Sequence, residues 1–275
     1  MGLPCFLVEN HLNGLQFPLG TLVGSEEAAG HEAFHVANGR RSPLDYWTGT
    51  STNVEYTLTW TNDRVRAWNL VALDRGHNLV RVIHEASDDN FTTTQPVFDI
   101  TLPTATAPGS LDDAFGVRTE EGAWLKRFPT RAAKYGRLRI PAMGAGIKPQ
   151  VIGVWAGLAW TPPFLGFPYV VDQDDFTTEE TMSQAGWRGR TAPAIVRSGT
   201  LSLRLTSLFD YELARYHLQG HFGRGRPMWI VHDDAEADRA VLAIRPQGRL
   251  GLGRDQGWFY PNGTVDWTEH EALMS

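Results

Sequence analysis

The chain has 275 residues, 42% of them hydrophobic and 20% charged, and its formal net charge is −6. This composition is typical of a globular protein and excludes a disordered chain, while the mild negative charge argues against a nucleic-acid partner. The single cysteine, Cys5, excludes disulfide bonds within the chain and clusters of thiolate metal ligands. The length suits two domains of roughly 130 residues each.

The beginning of the sequence lacks the features of a signal peptide. No basic residue precedes the first apolar residues, and the charged Glu9 comes too early for an apolar targeting core. No apolar run approaches the roughly 20 residues that span a bilayer. We therefore expect no membrane insertion, and the lone cysteine fits folding in a reducing cytoplasm.

A metal-binding pattern occurs early in the chain, where His31, Glu32 and His35 match H-E-x-x-H. On an α-helix this spacing places two imidazoles on one face to hold zinc, with the glutamate as general base. Gly30 would lie inside that helix and would cost about 1 kcal/mol relative to alanine. The following segments have the pattern of strands and supply no third ligand, so the sequence favours an ordinary loop and strand over a zinc peptidase.

Tyr46 and Trp47 follow a polar turn and form a second candidate site. A tryptophan at the rim of a β-sandwich can stack on a sugar ring while polar neighbours supply hydrogen bonds. The alternative is that Trp47 closes one end of the hydrophobic core, and average burial of tryptophan favours this interpretation.

Strand patterns dominate the next hundred residues. Apolar and polar residues alternate from Val54 to Trp60, which predicts a strand with one buried face. The run from Val65 to Leu73 is more uniformly apolar, as in a strand covered on both faces. Turns are predicted at Thr61–Asp63 and at Ser87–Asn90. The acidic pair in the second turn is expected to be solvated and not catalytic.

A segment rich in glycine and proline, residues 141–150, has the composition of a linker. Beyond it the sequence predicts further strands and one helix that begins with Asp210 as its cap and ends at Gly220. Leu213, Tyr216 and Phe209 are expected to face the interior. The predicted fold is therefore mainly β, in two domains, with one helix in the second.

Residues Ala33 to Ile140 resemble the galactose-binding-like, or discoidin-type, jelly roll. The resemblance rests on Tyr46-Trp47, Asn69–Asp74, His77–Leu79 and Lys134–Ile140. It implies an N-terminal β-sandwich over residues 1–140, of a type used for recognition or assembly. No individual sugar-binding residue carries over from that family.

The rest of the chain is similar to structural proteins of tailed bacteriophages, with the distal tail or tail-tip protein as the nearest class. The segments that carry this resemblance are Ile152–Gly157, Gly186–Arg190, Leu201–Leu205, the helix at Asp210, and Arg226–Val231. It implies a tail-tube-like β-sandwich with one flanking helix over residues 151–275. In many distal tail proteins the ring-forming domain comes first and the accessory domain is second or inserted, whereas this sequence suggests the reverse order.

Together these resemblances predict a non-enzymatic component of a phage tail, made in the host cytoplasm and located in the virion. It would form a homo-oligomeric ring, with six subunits as the usual number, between tail tube and baseplate, in contact with tail-tube and tail-hub proteins. No cofactor, metal or catalytic residue is assigned. The alternative is a carbohydrate-binding adhesion module that recognises host surface glycans, with Tyr46 and Trp47 as contacts; a zinc metallopeptidase ranks below both.

Overall fold

The structure is a computed structural model. It describes residues 5–12, 19–37, 45–74, 77–93, 96–102, 124–144, 146–162, 165–175, 179–182, 188–191, 196–204, 207–224, 228–231, 240–247 and 262–269. The elements of the first part are β1 (Cys5–Leu7), β2 (Leu19–Gly24), the 3₁₀ helix η1 (Ala33–Ala37), β3 (Tyr56–Leu73), β4 (Arg81–Ser87), β5 (Pro96–Thr101), β6 (Trp124–Ile140), β7 (Val154–Gly157) and β8 (Ala159–Trp160). Those that follow are β9 (Leu165–Asp175), β10 (Glu179–Met182), β11 (Arg188–Thr191), β12 (Val196–Arg204), α1 (Leu208–Arg224), β13 (Met228–Val231), β14 (Ala240–Gln247) and β15 (Asn262–Glu269).

The described residues are mainly β, with antiparallel pairing and one α-helix, and this much of the predicted fold class is confirmed. The six-stranded sheet of the first unit runs β2-β3-β6-β4-β5, and β7 pairs with β3 off that path. β3 and β6 are by far the longest strands of this sheet, with 18 and 17 residues, and pair with each other along most of their length.

β3 combines two runs that the sequence separates by a turn. In its first half Tyr56, Leu58 and Trp60 are buried and the residues between them are half-exposed, so the predicted alternation is confirmed. The turn predicted at Thr61–Asp63 is wrong, because the strand continues through it. The pairing register with β6 shifts between Thr61 and Arg66, and such an irregularity absorbs the polar residues without ending the strand.

A second register shift, between Trp68 and Leu70, changes which side chains of β3 face the core. Trp68, Val71 and Leu73 pack into the hydrophobic core, although their spacing breaks the period of two. That core gathers side chains from η1, from β3 to β7 and from connecting segments, including four indoles: Trp47, Trp60, Trp68 and Trp124. Both halves of β3 therefore cover one core.

The predicted linker, residues 141–150, lies between β6 and β7. The segment from 141 to 150 is irregular where it is described, but it does not end the first unit. Val154 and Ala156 lie in the same hydrophobic core, and β7 pairs with the second half of β3 from Leu70 to Leu73. Contacts divide the chain into a first unit of Met1–Trp160, Ile230–Ala240 and Ala272–Ser275, and a second of Thr161–Trp229 and Val241–Glu271.

Within the first unit, the N-terminal strand β1 pairs with β8, with Phe6 opposite Trp160. The chain between the paired strands β1 and β8 forms the whole six-stranded sheet. Asn10 ties the segment after β1 to β7, because its amide donates to the carbonyl of Val154 and accepts from the N–H of Ala156. The six-stranded sheet is thus an insertion between two strands that pair.

In the second unit the strands β14, β15, β12 and β9 follow one another in the sheet, and β10 and β11 form a hairpin. Helix α1 begins one turn earlier than predicted. Ser207 caps it, since its hydroxyl accepts from the N–H of Asp210 at 3.1 Å and donates to that carboxylate at 2.8 Å. No helix in the described part of the chain is both long and apolar enough to cross a membrane.

The inward face predicted for α1 is also wrong. Phe209 and Tyr216 are 73% and 74% exposed, whereas Ala214 and Leu218 are fully buried. The spacing of apolar residues identifies an apolar stripe on a helix. It does not show which of two such stripes packs against the rest of the protein.

Candidate functional site

The H-E-x-x-H residues do not assemble a zinc site. The 3₁₀ helix Ala33–Ala37 starts only after His31, so the α-helical turn that would bring both imidazoles to one face is missing. His35 instead lies between two carboxylates, with Glu32 at 3.3 Å from Nε2 and Asp45 against Nδ1. Among the residues with described positions, no three His, Cys, Asp or Glu side chains come close enough to hold a metal ion.

Trp47 is fully buried and presents no ring face to a ligand. Its indole N–H donates to the carbonyl of Glu26 at 3.1 Å, and its backbone pairs with Val151. The ring meets Tyr56 edge-on at 6.1 Å. Trp47 therefore closes the core, which is the alternative that its sequence context already favours. Tyr46 is half-buried and stacks on His31 with ring centroids 4.0 Å apart.

The described chain places a cavity of about 340 Å³ where the loop between β4 and β5 meets the middle of β6. Its lining consists of Ala86, Ser87, Asp88, Asp89, Thr93, Pro96, Val97, Arg131, Ala132 and Ala133. Small apolar side chains form one part of this lining, and two carboxylates, two hydroxyls and one guanidinium form the other. The pairing of β4 with β6, which sets Ala86 opposite Gly136, brings the two segments together.

The loop that borders the cavity is organised around Asp89. Its carboxylate accepts a hydrogen bond from the hydroxyl of Ser87 at 2.6 Å, and from both the N–H and the hydroxyl of Thr93. These donors stabilise the charged form and lower the pKa of Asp89 to about 2. Asn90 and Phe91, at the tip of the loop, both have positive φ, of 55° and 62°. This conformation is unusual for side-chain-bearing residues, and the bonds to Asp89 hold it in place.

Contacts with residues of β6 also hold this loop. The Arg137 guanidinium lies 4.0 Å from the centre of the Phe91 ring and forms an ion pair with the buried Glu85. Asp88 accepts a hydrogen bond from the N–H of Lys134 at 3.0 Å. Residues 88–91 of the loop are therefore tied to β6 by a cation–π contact and a hydrogen bond.

The charged groups in the lining differ in how many hydrogen bonds they already make. The carboxylate of Asp89 accepts several hydrogen bonds from its own loop, while within the described residues Asp88 accepts one, from Lys134. Arg131 is exposed, and its guanidinium makes no hydrogen bond or ion pair within the part of the chain that is described. The lining thus combines apolar side chains with an acceptor at Asp88 and a set of donors at Arg131.

Sequence reasoning identified Ser87–Asn90 only as a turn, and the structure confirms a turn there. It missed Arg131 and Thr93 as members of a site. Arg131 is far from the loop in sequence and arrives through strand pairing, so no local pattern marks it. His77 accepts a hydrogen bond from the N–H of Leu79 in the segment before β4. Burial lowers the pKa of His77 to about 4.

No protein-family model matches this sequence, and no curated protein matches it either. Among solved structures, similarity extends to chitosan-binding module 1 of a chitosanase/glucanase from Paenibacillus sp. IK-5, at 17% identity and a TM-score of 0.41. That match covers 54% of this chain and 98% of the module.

Two modules from Clostridium perfringens are also similar. CBM32-3, from a family 31 glycoside hydrolase, has 15% identity and a TM-score of 0.38, covering 50% of this chain and 90% of its own. CpGH89CBM32-5, solved with GalNAc-β-1,3-galactose, has 10% identity and a TM-score of 0.38, covering 50% and 94%. None of these three is a phage tail protein. Matches of this size describe a partial likeness and assign neither fold family nor function to this chain.

Proposed function

We propose that this protein is a non-enzymatic carbohydrate-binding protein whose ligand occupies the cavity between the β4–β5 loop and β6. The observation that carries the proposal is the lining itself, which combines apolar side chains with Asp88, on a loop tied to the sheet, and with Arg131 on β6. The volume of about 340 Å³ lies within the range of small-ligand sites, roughly 300–1,000 Å³.

The chemistry of a pyranose fits this lining. The C–H groups on one face of a sugar ring are apolar and would lie on Ala86, Val97 and Ala133. Its hydroxyl groups both donate and accept, so that the carboxylate of Asp88 and the guanidinium of Arg131 can each pair with one. A wholly apolar ligand would leave both charged side chains unsatisfied as it displaced water from them.

The state of Asp89 argues against hydrolysis. A glycosidase needs one carboxyl group that stays protonated to act as general acid, usually with a raised pKa. The hydroxyl and amide donors around Asp89 move its pKa in the opposite direction, to about 2. We therefore infer that Asp89 holds the loop and does not act as a general acid, and we propose recognition without turnover.

The test is a glycan array followed by calorimetric titration of the saccharide that binds best. Asp88→Asn and Arg131→Ala should each weaken binding by roughly tenfold, the scale of a lost hydrogen bond to a charged group. Lys148→Gln removes an exposed positive charge outside the cavity lining and should leave the affinity unchanged. Recovery of the intact saccharide after long incubation would support binding without hydrolysis. Absence of binding to the array and to bacterial surface polysaccharide would refute the proposal.

A second candidate function is a structural protein of a bacteriophage tail, forming a ring between tube and baseplate in the virion. One observation favours it: the six-stranded sheet lies between the paired strands β1 and β8. In the tail proteins that the sequence resembles, the accessory sandwich can be inserted into the ring-forming domain. The chain order that seemed reversed is thus compatible with that class.

The ring is tested by native mass spectrometry and negative-stain imaging of the full chain at high concentration. A closed ring, with six subunits as the expected number, would support the tail assignment. Particles that remain single chains under these conditions would refute it. The saccharide titration reports only on the cavity, and the ring is judged from the oligomeric state. Either candidate function can therefore be refuted without the other.

A further inference from the structure

The cavity lining carries opposite charges that do not pair with each other. Its charged residues are Asp88, Asp89 and Arg131, and within the described chain no ion pair joins the guanidinium of Arg131 to either carboxylate. Asp88 and Arg131 are both exposed and therefore open to solvent. A ligand that fills this space of about 340 Å³ displaces water from them, and it loses affinity unless it replaces the hydrogen bonds of that water.

Asp88 and Arg131 differ from the other charged groups near the cavity. The carboxylate of Asp89 accepts hydrogen bonds from hydroxyl and amide groups of its own loop. The guanidinium of Arg137 forms an ion pair with the buried Glu85. A carboxylate has about four acceptor sites and a guanidinium has five N–H donors. Asp88 and Arg131 are therefore the charged groups of the lining with the most hydrogen-bonding capacity left for a ligand.

We propose that the saccharide recognised in this cavity is zwitterionic, with an ammonium group that binds Asp88 and a carboxylate that binds Arg131. The inference rests on the proposed carbohydrate-binding function and specifies the class of sugar. A carboxylate accepts two parallel hydrogen bonds from a guanidinium, and an ammonium group donates to a carboxylate. Both contacts are charge-assisted, so they are stronger than the contacts that neutral hydroxyl groups make at the same positions.

A saccharide with a single charge fits this lining less well. An acidic sugar pairs with Arg131, but its carboxylate is repelled by Asp88 and Asp89, because the lining holds two negative charges and one positive charge. A basic sugar pairs with Asp88 and leaves Arg131 to a neutral hydroxyl group. Exposed ion pairs contribute modestly, so each matched charge should raise the affinity about threefold, and the two together about tenfold.

Four sugars with related pyranose rings separate the two charges. Glucose carries neither group, glucosamine carries the ammonium group, N-acetylmuramic acid carries the carboxylate, and muramic acid carries both. In calorimetric titrations of the full chain, muramic acid should bind about tenfold more tightly than glucose, and glucosamine should lie between them. In 1 M NaCl, where the Debye length is about 3 Å, this advantage should shrink while the affinity for glucose stays the same.

Two variants assign each charged group of the sugar to its partner. Asp88→Asn keeps an acceptor for the N–H of Lys134 and removes the charge, so muramic acid and N-acetylmuramic acid should bind this variant equally. Arg131→Gln keeps N–H donors and removes the charge, so muramic acid should bind it no better than glucosamine does. Lys148→Gln, outside the lining, should preserve the wild-type order of affinities. Each comparison is a ratio of affinities within one variant, so a general loss of binding does not imitate it.

The outcomes distinguish this inference from the proposed function. Equal affinities for the four sugars, tightest binding of a singly charged sugar, or a neutral best ligand on the glycan array would overturn the zwitterionic class and leave carbohydrate binding in place. An advantage of muramic acid that survives in both charge-removing variants would place the charged contacts elsewhere and would also overturn the inference. Absence of binding by the four sugars and by every arrayed saccharide would refute the proposed function itself.

Discussion

The histidine at the centre of the core makes the first unit sensitive to mild acid. His84 is fully buried, and its ring stacks on Trp60 at 5.6 Å. The indole N–H of Trp68 donates to its Nε2 at 2.9 Å, so that nitrogen must carry no proton. Nδ1 lies 3.1 Å from the carbonyl of Arg137 and donates to it. The structure thus requires a neutral imidazole, and protonation would break the bond from Trp68.

The size of the effect follows from the pKa. Burial lowers the pKa of His84 from 6.5 to about 4. The pKa of His84 is lower in the folded state than in the unfolded state. The neutral imidazole therefore stabilises the folded state fully above pH 6.5. That stability is lost as the pH falls from 6.5 towards 4. Linkage gives a loss of about 2 kcal/mol between pH 7 and pH 5, at 1.36 kcal/mol per pKa unit.

The assay is urea unfolding at pH 7 and at pH 5, with tryptophan fluorescence as the signal. His84→Gln removes the titrating group and keeps an acceptor for Trp68, so it should lose about 2 kcal/mol less than the wild-type chain over this interval. The comparison cancels contributions from other histidines, and Lys148→Gln serves as a control with the wild-type dependence. Equal losses in the wild-type chain and in His84→Gln would refute the reasoning.

Three further predictions concern individual contacts. A Cβ at Gly136 would lie 2.2 Å from ring atoms of Trp60, so Gly136→Ala should lower the melting temperature by several degrees; an unchanged temperature would contradict the close packing of this ring. Asp89→Asn removes the charged acceptor that holds Thr93, so proteolysis within residues 87–93 should accelerate and saccharide affinity should fall; a variant as resistant and as tight as wild type would argue against a fixed loop. Ser207→Ala should destabilise the second unit by about 1 kcal/mol in chemical denaturation, and no measurable loss would show that the cap is dispensable.

The patterns that the sequence predicted correctly are those set by neighbouring residues. Strand alternation identified the buried face of β3 at Tyr56, Leu58 and Trp60, because a half-buried strand imposes a period of two. Turn composition located Ser87–Asn90 for a similarly local reason. The helix was found as well, although its cap is Ser207 and not Asp210.

What the sequence did not predict depends on long-range pairing. The polar residues at Thr61–Asp63 belong to an irregular part of one long strand, since β6 supplies a partner on both sides of them. The outward direction of Phe209 cannot be read from a helix that has two apolar faces. Arg131 joins the cavity only through the pairing of β6 with β3 and β4, far from the loop in sequence.

The most direct test of carbohydrate binding in the cavity is a map of amide chemical shifts in the isotopically labelled chain as saccharide is added. We expect saturable shifts concentrated at residues 86–93, 97 and 131–133, which line or border the cavity. These shifts should be lost in Arg131→Ala under the same conditions. Shifts centred instead on Tyr46 and its neighbours, or no shifts with any saccharide from the array, would contradict carbohydrate binding in this cavity.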